Sequence, residues 1–206
     1  MFDITKIPAH VTLVAVTKTV PPERVDEALA AGITVFGENK IQEAKAKIPA
    51  VSSRARWHFI GHLQTNKARD AVELFDLIHS VDSLKLAGEL NRCAERAGKT
   101  QPILLEVNMS GEASKFGVKP GDVPALVAEV SRFPRLELRG LMTVPPFGRD
   151  ARPFFRQLRQ LRDEIGLRDL SMGMSHDYEI AIEEGATLIR LGTAIFGERK
   201  KHEPVE

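Results

Sequence analysis

Short apolar runs alternate with longer amphipathic stretches along the whole chain. VTLVAV (11–16) is a β-branched apolar run of the kind that forms a strand buried on both faces. PPERVDEALAAG follows: prolines suit a helix start, Val25, Ala28 and Leu29 share one face, and Gly32 suits the stop. ITVF (33–36) reads as a second strand and ENKIQEAKAKI as its helix; RWHFI (56–60) as a third, with a helix over NKARDAVELF. LIHSV (77–81) is the fourth strand, and LKLAGELNRCAERAG after it has clear helical periodicity. PILLEVNM (102–109), LELRGLMTV (136–144), DLSMG (169–173) and TLIRLG (187–192) complete the strands. Between them DVPALVAEVSRF, ARPFFRQLRQLRDEIG and YEIAIEEG supply helices, the first after a loop, SGEASKFGVKPG.

Strand-then-helix alternation implies a parallel sheet, because parallel neighbours need a crossover long enough to hold a helix. Eight such units predict a closed (β/α)8 barrel of the TIM type, with an open doubly wound sheet as the competing arrangement. No linker, repeat or low-complexity segment divides the chain, so residues 1–206 are read as one domain. The last unit is incomplete. After Gly197 only ERKKHEPVE remains, too short and polar for a full outer helix, which leaves room for a partner subunit and predicts a monomer or weak dimer.

Composition narrows the class. Charged residues make up 28% of the chain and the formal net charge is +1, which gives no electrostatic case for nucleic acid or an anionic membrane. There is no apolar run of membrane-spanning length, and MFDITKIPAHVTL lacks the basic-then-apolar order of a secretory signal, so a cytoplasmic protein is expected. The single cysteine, Cys93, excludes an internal disulfide framework and a cysteine-based zinc site. His10, His79 and His202 have no metal-ligand spacing, and His58 is expected to face the helices.

A barrel of this kind carries its active site at the C-terminal ends of its strands. Those ends collect Lys18; Gly37, Glu38 and Asn39; Gly61 and His62; Asp82; Asn108 and Met109; Met142 and Thr143; Met174 and Ser175; and Arg190, Gly192 and Thr193. Lys18 stands behind an apolar strand, where desolvation lowers an amine's pKa and makes it reactive towards carbonyls; the alternative is a lysine snorkelling to water. Arg190, flanked by Leu188, Ile189 and Leu191, is expected to be at least half buried and to need a partner. That partner is either a core carboxylate such as Glu106 or a ligand. Met174-Ser175 and Gly192-Thr193 follow strands seven and eight, where such barrels often hold phosphate with backbone N–H groups and hydroxyls. Ser175 could instead be a plain helix N-cap. A carbonyl-reactive lysine, a phosphate cradle and an arginine between them suit pyridoxal 5′-phosphate (PLP), with its aldehyde, phosphate and ring nitrogen. A phosphorylated sugar or keto acid handled by a Schiff-base aldolase uses the same groups. His62 is a candidate near the ligand; Lys115 lies in the long loop above.

The set LVAVTKT, FGENKIQEA, WHFIGHLQTNK, VNMSGEASKFG, GLMTVPP and LSMGMSHDYEIAIEEGATLIRLGTAIFG resembles the YggS/PROSC family of PLP homeostasis proteins, from about Val11 to Gly197. The resemblance implies a fold like the N-terminal barrel domain of alanine racemase and PLP held as a Schiff base on Lys18. It implies Asn39 near the cofactor, Ser175, Gly192 and Thr193 on the phosphate, and Arg190 on the ring nitrogen, a partner that weakens the ring as an electron sink. It implies an intracellular role in vitamin B6 balance, with delivery of PLP to apoenzymes, and no established reaction. The alternative is a PLP-dependent amino-acid racemase or Schiff-base lyase. A racemase needs an acid/base on each face of its substrate, and nothing in the sequence places Tyr178 opposite Lys18. Relative to the family the stretch before the first strand is short, about ten residues, so that cover is expected to be reduced.

Overall fold

Strands of three to seven residues cannot be stable singly; they close on one another here. The computed structural model describes residues 3–112 and 115–197. In it β1 (Thr12–Val16), β2 (Val35–Glu38), β3 (Arg56–Phe59), β4 (Leu77–Val81), β5 (Gln101–Glu106), β6 (Leu136–Met142), β7 (Asp169–Ser171) and β8 (Leu188–Leu191) form a closed barrel in chain order. Every strand pair is parallel, and β1 closes on β8 with Val14 beside Arg190. The helices α1 (Pro22–Ala30), α2 (Ile41–Lys47), α3 (Ala68–Leu74), α4 (Leu84–Arg96), α5 (Val123–Val130), α6 (Arg152–Ile165), α7 (Tyr178–Glu183) and α8 (Thr193–Phe196) follow the strands in turn. The expected (β/α)8 fold is the observed one.

Local chemistry sets the helix ends. The Ser83 hydroxyl accepts the Leu86 N–H at 3.3 Å and caps α4. That helix buries Leu86, Ala87, Leu90, Cys93 and Ala94, one stripe at helical spacing, and Cys93 is indeed a small packing residue. α6 stops at Gly166, whose φ of 76° is open to glycine at no steric cost.

Two apolar layers result. The larger lies between strands and helices and includes Phe36, Trp57, Phe59, Ile78, Leu105 and Phe155. The smaller fills the barrel with Val14, Val35, Leu77, Leu104, Met142 and Leu188. No helix among the described residues is long and apolar enough to cross a membrane.

The structure departs from the sequence reading in three places. β2 starts two residues later and runs through Gly37 and Glu38, which pair with His58 and Phe59 of β3. A charged residue enters a buried strand there because its carboxylate has a buried cation to meet. β7 ends at Ser171, before the chain turns at Gly173 with φ 93°. His58 faces the barrel interior, not the helices: its Nδ1 lies 3.0 Å from His79 Nε2. α8 is a single turn, as expected of an incomplete last unit; residues 198–206, on which the reading of a missing cover also rests, lie outside the described residues, as does His202.

Candidate functional site

β1 delivers the chain to the mouth of the barrel at Thr17-Lys18-Thr19, and a buried ion pair fixes it there. Lys47 reaches up from α2. Its Nζ donates to Thr17 O at 2.5 Å, to Glu38 Oε1 at 2.5 Å and to Glu43 Oε1 at 3.0 Å. The Thr17 hydroxyl donates to the same Glu38 oxygen at 2.5 Å, and Glu43 also accepts the Thr19 N–H. Thr19 has φ 64°, a left-handed conformation uncommon outside glycine, and these bonds hold it. Thr17 and Glu38 are fully buried and Lys47 nearly so. Burial raises the Glu38 carboxyl above its ordinary range, outweighing the bonds from Lys47 and Thr17 that pull it down. Lys18 therefore rides on a clamped backbone. Its side chain is half-buried and makes no hydrogen bond or ion pair among the described residues.

Arg190 is 4% exposed and points into the barrel. It does not pair with Glu106. It donates through Nη2 to Thr143 O at 2.9 Å and through Nη1 to the Ser171 hydroxyl. Burial lowers its pKa to about 10, against the pull of Glu106 and Asp177, so the guanidinium stays charged at neutral pH. A guanidinium has five N–H donors, and two are spent on the protein.

The turns after β7 and β8 come together beside it. Ser175 is not a helix cap: α7 begins at Tyr178, with Asp177 before it. Its hydroxyl lies 3.4 Å from the N–H groups of both Gly192 and Ala194, so it stitches the two turns together. The neighbouring Met174 N–H is held by Asp177 Oδ1 at 2.6 Å. A Cβ at Gly192 would meet only Val16, at an ordinary 3.5 Å. The chain itself does not need glycine there, and the space stays open beside exposed Thr193.

Across the mouth, Gly61 locks β3 to the end of β2. A Cβ there would fall 2.2 Å from Asn39 O, so only glycine permits the approach. Asn39 is thereby fixed, and its Oδ1 is buried without a partner. His62 stacks on Phe116 with ring centres 3.6 Å apart and has Asp82 Oδ2 at 3.7 Å from Nδ1. Asn108 organises the long loop: its amide donates to Glu112 O and Lys115 O, and its carbonyl accepts from Gly111 and Ser110. Lys115, Phe116 and Val144 share a hollow of about 230 Å³ with Glu106.

Glu106 was considered in the sequence only as a partner for Arg190. Burial lifts it from the ordinary 4.5 to about 7; the charge on Asp82 adds to this and Arg190 opposes it. A carboxyl raised on folding favours the fold below its unfolded pKa, and that contribution is lost as pH climbs towards the folded value. Between pH 4.5 and about 7 the ligand-free wild type should therefore lose stability relative to Glu106→Gln, by about 2 kcal/mol after allowance for partial solvation. Urea unfolding of both proteins at pH 5 and pH 8 measures the difference. An unchanged gap between them would show that Glu106 does not titrate in this range.

The structure thus sets Lys18, Asn39, His62, Met174, Ser175, Gly192 and Thr193 at the C-terminal ends of the barrel strands, with Arg190 on the last of those strands. Sequence reading missed Lys47, Ser171 and His79, which position that set. One signal for Lys47 was there: with Ile41 and Ala44 it falls on the buried stripe of α2.

Comparison with known proteins agrees with the geometry. Residues 4–200 match the family described as alanine racemase, N-terminal domain. The pyridoxal phosphate homeostasis protein of Pseudomonas aeruginosa is 48% identical over 198 residues, covering 93% of this chain and 86% of its own length. That of Aquifex aeolicus is 46% identical over 198 residues, 91% of this chain and 87% of its own. PipY of Synechococcus elongatus, solved with PLP bound, has a TM-score of 0.89 at 41% identity, covering 94% of this chain and 95% of PipY. Alanine racemase of Clostridium difficile shares the fold, with a TM-score of 0.77 at 13% identity over 95% of this chain and 54% of its own.

Proposed function

The chain belongs to the pyridoxal phosphate homeostasis family, and from that premise we propose that it binds PLP at the mouth of its barrel and serves PLP balance in the cell. The residues present suit that ligand. PLP supplies an aldehyde that a lysine amine captures reversibly as a Schiff base. Lys18 offers such an amine, with no hydrogen-bond or ion-pair partner among the described residues and mounted on a fixed strand end. Ser175, Gly192 and Thr193 would hold the phosphate through N–H and hydroxyl donors, with Met174, its own N–H held by Asp177, fixing the turn beside them. Arg190 would face the ring nitrogen with donors only, so it would leave that nitrogen unprotonated. Asn39, with its orphaned carbonyl oxygen, and His62 would border the ring.

The same residues argue for holding over turnover. A charged arginine at the ring nitrogen withholds the proton that makes the ring an electron sink. The Tyr178 hydroxyl donates to Glu179 on its own helix at 3.2 Å, so it is engaged away from Lys18. Racemase or lyase chemistry is thus not favoured. We assign instead a carrier role, in which the recipient is an apoenzyme whose own lysine competes with Lys18 for the aldehyde.

The observation that supports this reading is that Lys18 makes no hydrogen bond or ion pair among the described residues and follows β1, which pairs with the strand of Arg190, at the barrel end where Ser175 joins the Gly192 turn. Purified protein mixed with PLP should gain a visible absorption band, and borohydride should fix one cofactor per chain. Peptide mapping should place it on Lys18. Label spread over surface lysines such as Lys85 or Lys119 would overturn the assignment.

A further inference from the structure

The opposite end of the barrel carries a feature that PLP binding does not use. A cavity of about 370 Å³ opens at the N-terminal ends of the strands, under Ile4 and Ile7. Thr12, Arg56, His58 and Arg139 line it. Arg139 Nε donates to Asp169 Oδ2 at 2.8 Å, and Arg168 lies 3.6 Å from the same carboxylate, so that negative charge is already met. Arg56 is exposed and has no ion pair among the described residues. Among the described residues no acidic side chain lines the cavity.

His58 closes the inner end of this cavity and is 5% exposed. A hydrogen-bond chain joins it to Arg190, and one direction along it gives the Ser171 hydroxyl proton an acceptor. Arg190 can only donate, so the Ser171 hydroxyl accepts from it. The one hydroxyl proton of Ser171 then goes to His79 Nδ1, at 2.8 Å. A neutral His79 with an accepting Nδ1 carries its proton on Nε2 and donates it to His58 Nδ1, at 3.0 Å. His58 in turn carries its proton on Nε2, where no described residue accepts it. Burial keeps both rings neutral, His79 well below its ordinary value and His58 at about 3, with Arg56 and Arg139 adding to the latter shift. The cavity therefore presents an N–H from its inner end and two guanidinium groups from its wall.

We propose that this cavity at the barrel floor is a second binding site, for a small carboxylate or phosphate oxyanion held by Arg56, Arg139 and the His58 Nε2–H. Two arginines and a neutral imidazole donor form a set that complements oxyanions and has nothing to offer a cation. The volume suits a ligand of a few carbons, at the small end of ligand sites. The site stands apart from Lys18 and does not depend on what the mouth binds.

The test uses protein saturated with PLP, so that the mouth is filled, and protein labelled with nitrogen-15 at histidine. Inorganic phosphate and succinate are titrated in turn at constant ionic strength. One or both should saturate in the millimolar range and shift the His58 Nε2–H resonance. Arg56→Gln, a change at an exposed position that should leave the fold intact, should weaken that binding about tenfold or more. Saturation by phosphate alone would assign a phosphate ester as ligand class, and by succinate alone a carboxylate. The proposal fails if neither probe shifts the His58 resonance, or if Arg56→Gln titrates as the wild type does. Because Arg56 lines the floor and takes no part in the chain to Arg190, loss of the shift in Arg56→Gln reports on the floor even if the chain takes up no PLP.

Discussion

Lys18→Ala should abolish the visible band and the borohydride-fixed adduct while leaving the protein folded. The first half follows from chemistry: among the described residues Lys18 is the half-buried lysine that follows a strand end clamped by Lys47, whereas Lys40, after β2, is exposed. Lys47 is committed to Thr17, Glu38 and Glu43, and Lys115 belongs to the loop that Asn108 organises. The second half follows from the contacts. The Lys18 side chain makes no hydrogen bond or ion pair among the described residues, so its removal should change stability by no more than about 0.5 kcal/mol. PLP affinity should fall on the order of 100-fold, about 3 kcal/mol, because the covalent link is lost and the phosphate turn and Arg190 remain. Equilibrium dialysis of PLP against wild type and variant gives the ratio, and thermal unfolding checks the fold. A variant that keeps wild-type affinity would move the binding energy away from Lys18 and sink the carrier mechanism built on it.

The barrel was legible because its signals are long-range and repeated. Each apolar run is followed by an amphipathic one, and this order admits few topologies. The strand-end rule then placed Lys18, Ser175, Arg190 and Gly192 on one face. Residues that work by burial were harder to read. A parallel strand is apolar on both faces, so RWHFI contains no alternation to say which way His58 points. The neighbouring aromatics settle it in the structure: Trp57 meets Phe36 at 5.5 Å and Phe59 meets Phe75 at 5.1 Å in the helix-facing layer, which turns His58 inward. Arg190 shows the same limit. Its burial was evident from its neighbours, but its partners, Ser171 and the Thr143 carbonyl, come from strands that only the closed barrel brings near. Glu38 read as a strand-end residue opening the ENKIQEAKAKI helix, and its cation lies nine residues on, within that same stretch.

That hidden pair should have a large effect on stability. Lys47→Met should lower the unfolding free energy by about 3–5 kcal/mol, because it leaves the Glu38 charge buried and unpaired. The cost comes less from the attraction lost than from desolvation no longer compensated. Removing both charges should therefore be milder than removing one. In Lys47→Met/Glu38→Gln no buried charge remains, and the double variant should be more stable than Lys47→Met alone. Urea unfolding of the four proteins closes this cycle. The site should respond as well. Lys47 fixes the Thr17 carbonyl one residue before Lys18, so freeing that turn should weaken PLP binding even in the double variant that recovers stability over Lys47→Met. Stability and affinity then separate: the first tracks unpaired charge, and the second tracks the hold on the strand end. Strict additivity of the two substitutions would mean that Glu38 is already neutral in the fold. The raised Glu38 carboxyl would then be protonated at neutral pH, and Lys47 would hold the turn through the Thr17 carbonyl and Glu43 alone.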